Sequence, residues 1–348
     1  MGGFSQPLNW VMSRPQSHAP APLPDNKPAI LQVIPQLDAG GAERTTIEIA
    51  AALTEAGFQA LVASQGGRME GELRAAGGEL VRMPVASKSP LKIFANARAL
   101  KKLVQARNVK LIHARSRAPA WSAFMAARLA HIPFVTTYHG IYNSGNALKR
   151  FYNSVMTRGD AVIANSQWTA DHIVREHRGL AGHVHVIPRG VDLSRFDPGG
   201  VPPDAITHQR ADWSARDDDL VILLPGRLTR WKGQLILVAA LALLRKQGRL
   251  QHVRVVFAGD AQGRDAYEAE LRKAIAESEL DAIMTIAGHV DDMATAYLAA
   301  DIVVSASTEP EAFGRVAAEA GAMGRPVIAT DHGGARETVL NGASGLLI

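Results

Sequence analysis

The 348-residue sequence predicts an α/β protein built as two doubly wound, parallel-sheet domains. Short apolar runs alternate with helical stretches along the chain. Several of the runs, LVILLP and ALVA among them, are apolar throughout rather than at every second residue, which is the pattern of a strand covered by helices on both faces. The alternation is broken once, by RFDPGGVPPDAITHQRADWSARDDD, and starts afresh at Leu220.

The elements follow in order. Residues 1–28 carry Pro15, Pro20, Pro22 and Pro24 without an apolar stretch, so they read as a disordered leader rather than a signal peptide. AILQVIPQL opens the first domain, and AERTTIEIAAALTEAG has the period of an amphipathic helix. ALVAS, KLIHAR, FVTTYHG, AVIANS and HVHVIP supply further strands, with a helix expected from about Pro90 to Arg107. In the second domain the strands are LVILLPGR, VRVVFAGD, MTIAGH, DIVVSAS and PVIATD, with a helix expected over 314–323. The boundary is placed near Arg189 to Asp192, giving domains at 29–190 and 191–348.

Composition excludes several function classes. With no cysteine there is no disulfide, thiol nucleophile or cysteine-ligated zinc, and a cytoplasmic location is permitted. No run approaches the roughly 18 apolar residues of a spanning helix. The net charge of +5 is uneven: residues 80–159 hold 14 Lys or Arg and no Asp or Glu, leaving −9 on the remainder. Such a basic block points to anionic lipid, nucleic acid or a phosphorylated substrate, or else to solvated helix faces. Only 5% of residues are aromatic and they are scattered, which argues against nucleic acid as the partner.

In doubly wound sheets ligands bind beyond the carboxyl ends of the strands. Gly40 and Gly41 follow the first strand, where glycine permits close backbone approach; Arg227 and Lys232 follow LVILLPG and form a pair of cations suited to a diphosphate; His289 follows MTIAG. Two glutamates, Glu311 and Glu319, flank Phe313-Gly314, where a strand hands over to a helix whose first amides belong to Gly314 and Arg315.

Glu311, seven intervening residues and Glu319 resemble the E-x7-E element of glycosyltransferase family 4, the retaining transferases of the GT-B fold. The resemblance runs from Ile30 to Ile348 through GGAER, YHG, VIANS, IPRGVD, PGRLTRWKG and DHGGARETV. It implies two Rossmann-like domains facing a cleft, an N-terminal one for the acceptor and a C-terminal one for the nucleotide-sugar. It further implies transfer of a hexose-type sugar from a nucleotide-diphosphate donor to a glycan or lipid-linked acceptor, as in lipopolysaccharide or other cell-surface polysaccharide synthesis. Arg227 and Lys232 would neutralise the diphosphate, which removes any need for a metal or other cofactor. Glu311 would meet the donor sugar and Glu319 the ribose, with Phe313, Gly314 and Arg315 at the sugar or phosphate. His139 would reach the donor sugar across the cleft, and Gly40 and Gly41 would pack on the phosphates. His289 is carried as a further donor contact.

Because Glu311 and Lys232 are both expected to face the cleft, truncating either is expected to remove activity and spare the fold. Retention is expected by front-face attack. A peripheral position on the inner face of the cytoplasmic membrane fits the basic block. Arg189 stands where the family usually carries Asn before GVD, and the chain ends at GLLI, where the family continues with further helices. Competing readings are a nucleotide-sugar epimerase of the same fold, an inactive nucleotide-sugar binder, and a metal-dependent transferase using Asp217 to Asp219. The last is disfavoured because that string precedes its strand instead of following it.

Overall fold

The computed structural model describes residues 27–38, 40–140, 142, 145–177 and 182–348; residues 1–26, and with them nearly all of the expected leader, lie outside that set. The first domain alternates β1 (Ala29–Val33), α1 (Gly41–Glu55), β2 (Gln59–Ser64), α2 (Glu70–Ala75), β3 (Gly78–Arg82), α3 (Pro90–Ala106), β4 (Val109–Ala114), α4 (Arg117–Ala130), β5 (Phe134–Tyr138), α5 (Ala147–Asn153), β6 (Ala161–Ala164), α6 (Gln167–Glu176) and β7 (Val184–Val186). The second holds α7 (Pro203–Asp212), β8 (Leu220–Pro225), α8 (Gln234–Lys246), β9 (Val253–Ala258), α9 (Asp265–Glu277), β10 (Met284–Gly288), α10 (Met293–Ala299), β11 (Ile302–Ser305), α11 (Arg315–Ala322), β12 (Val327–Ala329), α12 (Ala335–Thr338) and β13 (Gly345–Leu347).

The seven strands of the first sheet run in the order β3-β2-β1-β4-β5-β6-β7, and the six of the second in the order β10-β9-β8-β11-β12-β13. Every pairing in both is parallel. Strand order reverses beside β1 and beside β8, so each sheet has its crevice at those carboxyl ends.

Burial on both faces explains the uniformly apolar strands. On β2, Leu61 and Ala63 enter one core with Leu100 and Ala123, while Ala60 and Val62 enter another with Ile47 and Leu73. On β9, Val256 and Ala258 join the core of Tyr297 and Met323, while Val255 and Phe257 join that of Leu241 and Leu271. Side chains alternate across a strand, so each strand serves two cores. The Pro- and Gly-rich crossing belongs physically to the second domain, since Phe196 and Trp213 are buried in its core. Among the described residues no helix is long and apolar enough to cross a membrane.

Candidate active site in the interdomain cleft

A cavity of about 780 Å³ lies where the carboxyl ends of the two sheets meet. Gly40, Gly41 and Arg44 line it from the first domain; Arg227, His289, Arg315 and Glu319 line it from the second. Arg227 and His289 closely follow the ends of β8 and β10, and Gly40 ends the loop that leads from β1 into α1. Arg227 is exposed and forms no ion pair among the described residues. His289 turns its Nε2 to the Asp291 carboxylate at 3.0 Å.

Lys232 and Glu311 face each other, Lys232 Nζ donating to Glu311 Oε1 at 2.8 Å with side chains 13% and 15% exposed, and a Cβ on Gly226, which lines the cavity, would lie 3.5 Å from Lys232 Cδ. Ser307 Oγ donates to the same oxygen at 2.6 Å and Ser305 Oγ at 3.4 Å. Burial alone raises the Glu311 carboxyl, but the Lys232 charge and the three donors outweigh it and hold the group below the ordinary carboxylate value. The loop bearing Glu311 is clamped from behind: Gly334 N donates to Glu311 O at 2.7 Å, and a Cβ on Gly334 would fall 2.5 Å from the Phe313 backbone. Phe313 is itself 8% exposed and Gly314 serves as the N-cap of α11 at φ 85°; neither reaches the cavity lining.

Glu319 does face the cavity. Its Oε1 accepts from Arg315 Nε at 3.0 Å, a pairing of residues four apart on one helix face, and its Oε2 accepts from the buried Tyr297 hydroxyl at 3.0 Å. Burial and the Glu319 charge push that phenol well above its ordinary value, keeping it a donor. Arg315 also donates from Nη1 to Glu48 of α1 at 3.2 Å, tying the domains together. Two further contacts cross the cleft: Glu337 accepts from the Gln167 and Trp168 amides at 2.8 and 2.7 Å, and Thr169 Oγ1 donates to Ala312 O at 3.1 Å. Those amides are the first of α6, where a carboxylate is stabilised by the helix dipole.

His139 follows β5, as expected, yet its partner is the Arg189 guanidinium at Nδ1, and it stands behind the cavity lining. Burial, with the charges of Arg115 and Arg189, drives its pKa well below the ordinary histidine value, so the ring is neutral. Asp217 to Asp219 precede β8, at the amino-terminal end of that interior strand and so opposite the carboxyl ends that border the cleft; Asp218 meets His252 at 2.7 Å and Asp219 accepts from Arg216 N at 2.8 Å.

Sequence reasoning missed Glu48, Tyr297, Glu337 and Arg115. Glu48 and Tyr297 lie mid-helix, where only the fold brings them to the cleft. Arg115 ends the run KLIHAR, a strand-end position that could have drawn notice.

Comparison with known proteins agrees with this geometry. Residues 39–195 match Glycosyltransferase Family 4, and residues 205–348 match Glycosyl transferases group 1. A glycosyltransferase structure from Rickettsia africae is 36% identical with a TM-score of 0.82, covering 93% of this chain and 84% of that one. The Anabaena protein Alr3699/HepE in complex with UDP-glucose is 28% identical with a TM-score of 0.79, covering 92% and 85%. The D-inositol 3-phosphate glycosyltransferase of Xylanimonas cellulosilytica is 32% identical over 254 residues, 68% of this chain and 59% of that protein. The chain spans about half the length of the curated relatives it matches. With both halves matched and a relative covered over most of its length, the chain belongs to the group 1 glycosyltransferases of family 4, on the GT-B fold.

Proposed function

We propose that this chain transfers a hexose-type sugar, with retention of anomeric configuration, from a nucleotide-diphosphate donor to a glycan or lipid-linked acceptor. The observation that carries the reading is the cavity wall. An exposed arginine, Arg227, faces the first turn of α11 across a space sized for a nucleotide-sugar, and Glu319 stands one turn further along that helix. A cation and a helix N-terminus attract a diphosphate, and a carboxylate is suited to accept from ribose hydroxyls. The UDP-glucose complex of the Anabaena relative supports a donor of this class. Titration calorimetry with UDP and UDP-glucose tests the donor, with Arg227→Ala expected to weaken both at least tenfold; equal binding by the variant overturns the assignment. Nuclear magnetic resonance of the product anomer tests retention.

A synthetic role at a membrane surface, as in lipopolysaccharide or another cell-surface polysaccharide, rests on the rim of the first domain. Leu91, Phe94, Leu148 and Phe151 are exposed at 84%, 43%, 78% and 57%. They lie on α3 and α5, which flank α4 through the Ser122–Ile93 and Trp121–Tyr152 hydrogen bonds. Lys92, Arg98, Lys149, Arg150 and Arg158 surround them, all exposed. Apolar side chains ringed by cations suit an anionic bilayer interface, each cation contributing about 1 kcal/mol. Sedimentation with anionic but not neutral liposomes is expected, reduced by Lys92→Glu with Lys149→Glu; equal recovery in the supernatant with both liposome types removes this part of the proposal.

A further inference from the structure

Three guanidinium groups converge at the inner end of the cleft: Arg115 after β4, Arg189 in the crossing between domains, and Arg315 on α11. Arg315 is compensated twice, by Glu319 at 3.0 Å and Glu48 at 3.2 Å. The other two have neutral partners. Arg115, 2% exposed, donates from Nη1 to the Gln32 amide oxygen at 3.1 Å. That amide is fixed in place by its own Nε2, which donates to Thr46 O at 2.9 Å. Arg189 rests Nη2 on the neutral His139 ring. Among the described residues Arg115 Nε, Arg189 Nε and His139 Nε2 are all buried without a hydrogen-bond partner. Glu48 and Glu43 are close enough to act on these charges through space, but neither hydrogen-bonds to Arg115 or Arg189 among the described residues.

Buried cations without a hydrogen-bonded counter-charge are costly. Burial and the Arg189 charge lower Arg115 to about 9, and burial and the Arg315 charge lower Arg189 to about 10. Access comes through Gly41, which lines the cavity. A Cβ there would lie 2.8 Å from Arg189 Nη1 and 3.4 Å from Arg315 Cδ, so Arg189 and Arg315 come up directly behind a residue with no side chain, while Arg115 lies deeper.

We infer that Arg115 and Arg189, beside His139, form a subsite for an anionic group, a carboxylate or a phosphate, carried by one of the two sugar substrates and separate from the donor diphosphate. Guanidinium groups match such planar or tetrahedral oxyanions with paired N–H donors, and the neutral histidine adds a hydrogen bond without a competing charge. The inference rests on the sugar-transfer reading above and narrows it: either the donor sugar is a uronic acid or the acceptor bears an acidic group near its reacting hydroxyl.

Titration calorimetry on the whole chain separates the possibilities. UDP alone is the reference; if it does not bind, GDP is tried in its place, and if neither binds the nucleotide-sugar reading fails and this inference with it. Where UDP is the nucleotide that binds, an acidic donor predicts that UDP-glucuronate binds at least tenfold more tightly than UDP-glucose, and that Arg189→Gln reduces the ratio to within about twofold. An acidic acceptor predicts instead no such preference, but binding of inorganic phosphate to the nucleotide-saturated protein, lost in Arg189→Gln. Arg115→Lys, which keeps the buried charge and loses the fork, is the second variant should Arg189→Gln unfold, and is expected to weaken whichever ligand shows the effect. Equal affinity for the two UDP-sugars together with no phosphate binding overturns the inference. So does a preference that persists in both variants.

Discussion

Replacing Lys232 by alanine tests the site from its least expected feature. In the folded protein Glu311 is a largely buried carboxylate whose one charged hydrogen-bond partner among the described residues is Lys232 at 2.8 Å, the others being the Ser307 and Ser305 hydroxyls. Removing the ammonium leaves that carboxylate desolvated, a loss of about 3–5 kcal/mol for a broken buried pair. For a domain of this size about 2–4 °C accompanies each kcal/mol, so the melting temperature should fall by about 6–20 °C.

The loss should depend on pH. In the native protein the carboxyl is held below its ordinary value, so its contribution is present above the unfolded-state pKa and lost as pH falls through the lowered folded value. In Lys232→Ala only burial and the hydroxyls remain, and the carboxyl moves upward. The deficit is then fullest at pH 8 and shrinks toward pH 5 as Glu311 takes up a proton. Thermal unfolding of both proteins at pH 5 and pH 8 measures this. A shift under about 2 °C, or one equal at the two pH values, refutes the reasoning. The double variant Lys232→Met with Glu311→Gln, which removes both charges, should recover much of the stability.

Three further outcomes follow from single contacts. Gly334→Ala places a Cβ 2.5 Å from the Phe313 backbone, so donor affinity should fall at least tenfold by calorimetry, whereas Gly321→Ala, with open space around it, should bind as the native protein does. Glu337→Ala removes the carboxylate from the first amides of α6, weakening domain closure by about 1 kcal/mol; a donor KM raised about fivefold with circular dichroism unchanged is expected, and an unchanged KM contradicts the coupling. Transfer activity should survive EDTA, because Arg227 on the cavity wall supplies the positive charge a metal would bring; loss restored by magnesium or manganese contradicts it.

Much of the fold was legible because it depends on short-range pattern. The short apolar runs gave 11 of the 13 strands among the described residues, and the two that escaped show why. β3, GELVR, is an edge strand paired to β2, and its exposed Glu79 and Arg82, one on each face, leave no uniformly apolar run to read. β13 spans three residues at the far edge of its sheet, too short for any period to register. The cleft residues that follow strand ends, Gly40, Arg227 and His289, were legible for the same reason: strand ends are local. What was illegible is partnership. Nothing in the spacing of Lys232 and Glu311 says that they face each other, because they are 79 residues apart and only the β8–β11 pairing brings their loops together.

The two glutamates that flank Phe313-Gly314 therefore do different work, and helix geometry says which does what. Gly314, at φ 85°, stops the chain from being helical on its N-terminal side, so Glu311 belongs to the loop and can turn inward toward Lys232. From Arg315 onward each residue turns about 100°. Glu319, four positions later, returns to the face of Arg315, and that is the face bordering the cavity. Seven intervening residues thus join a loop carboxylate that holds Lys232 to a helix carboxylate that lines the cavity. Shortening the interval by one residue within the helix would rotate Glu319 by about 100°, away from Arg315 and Tyr297, while leaving the Lys232–Glu311 contact in place.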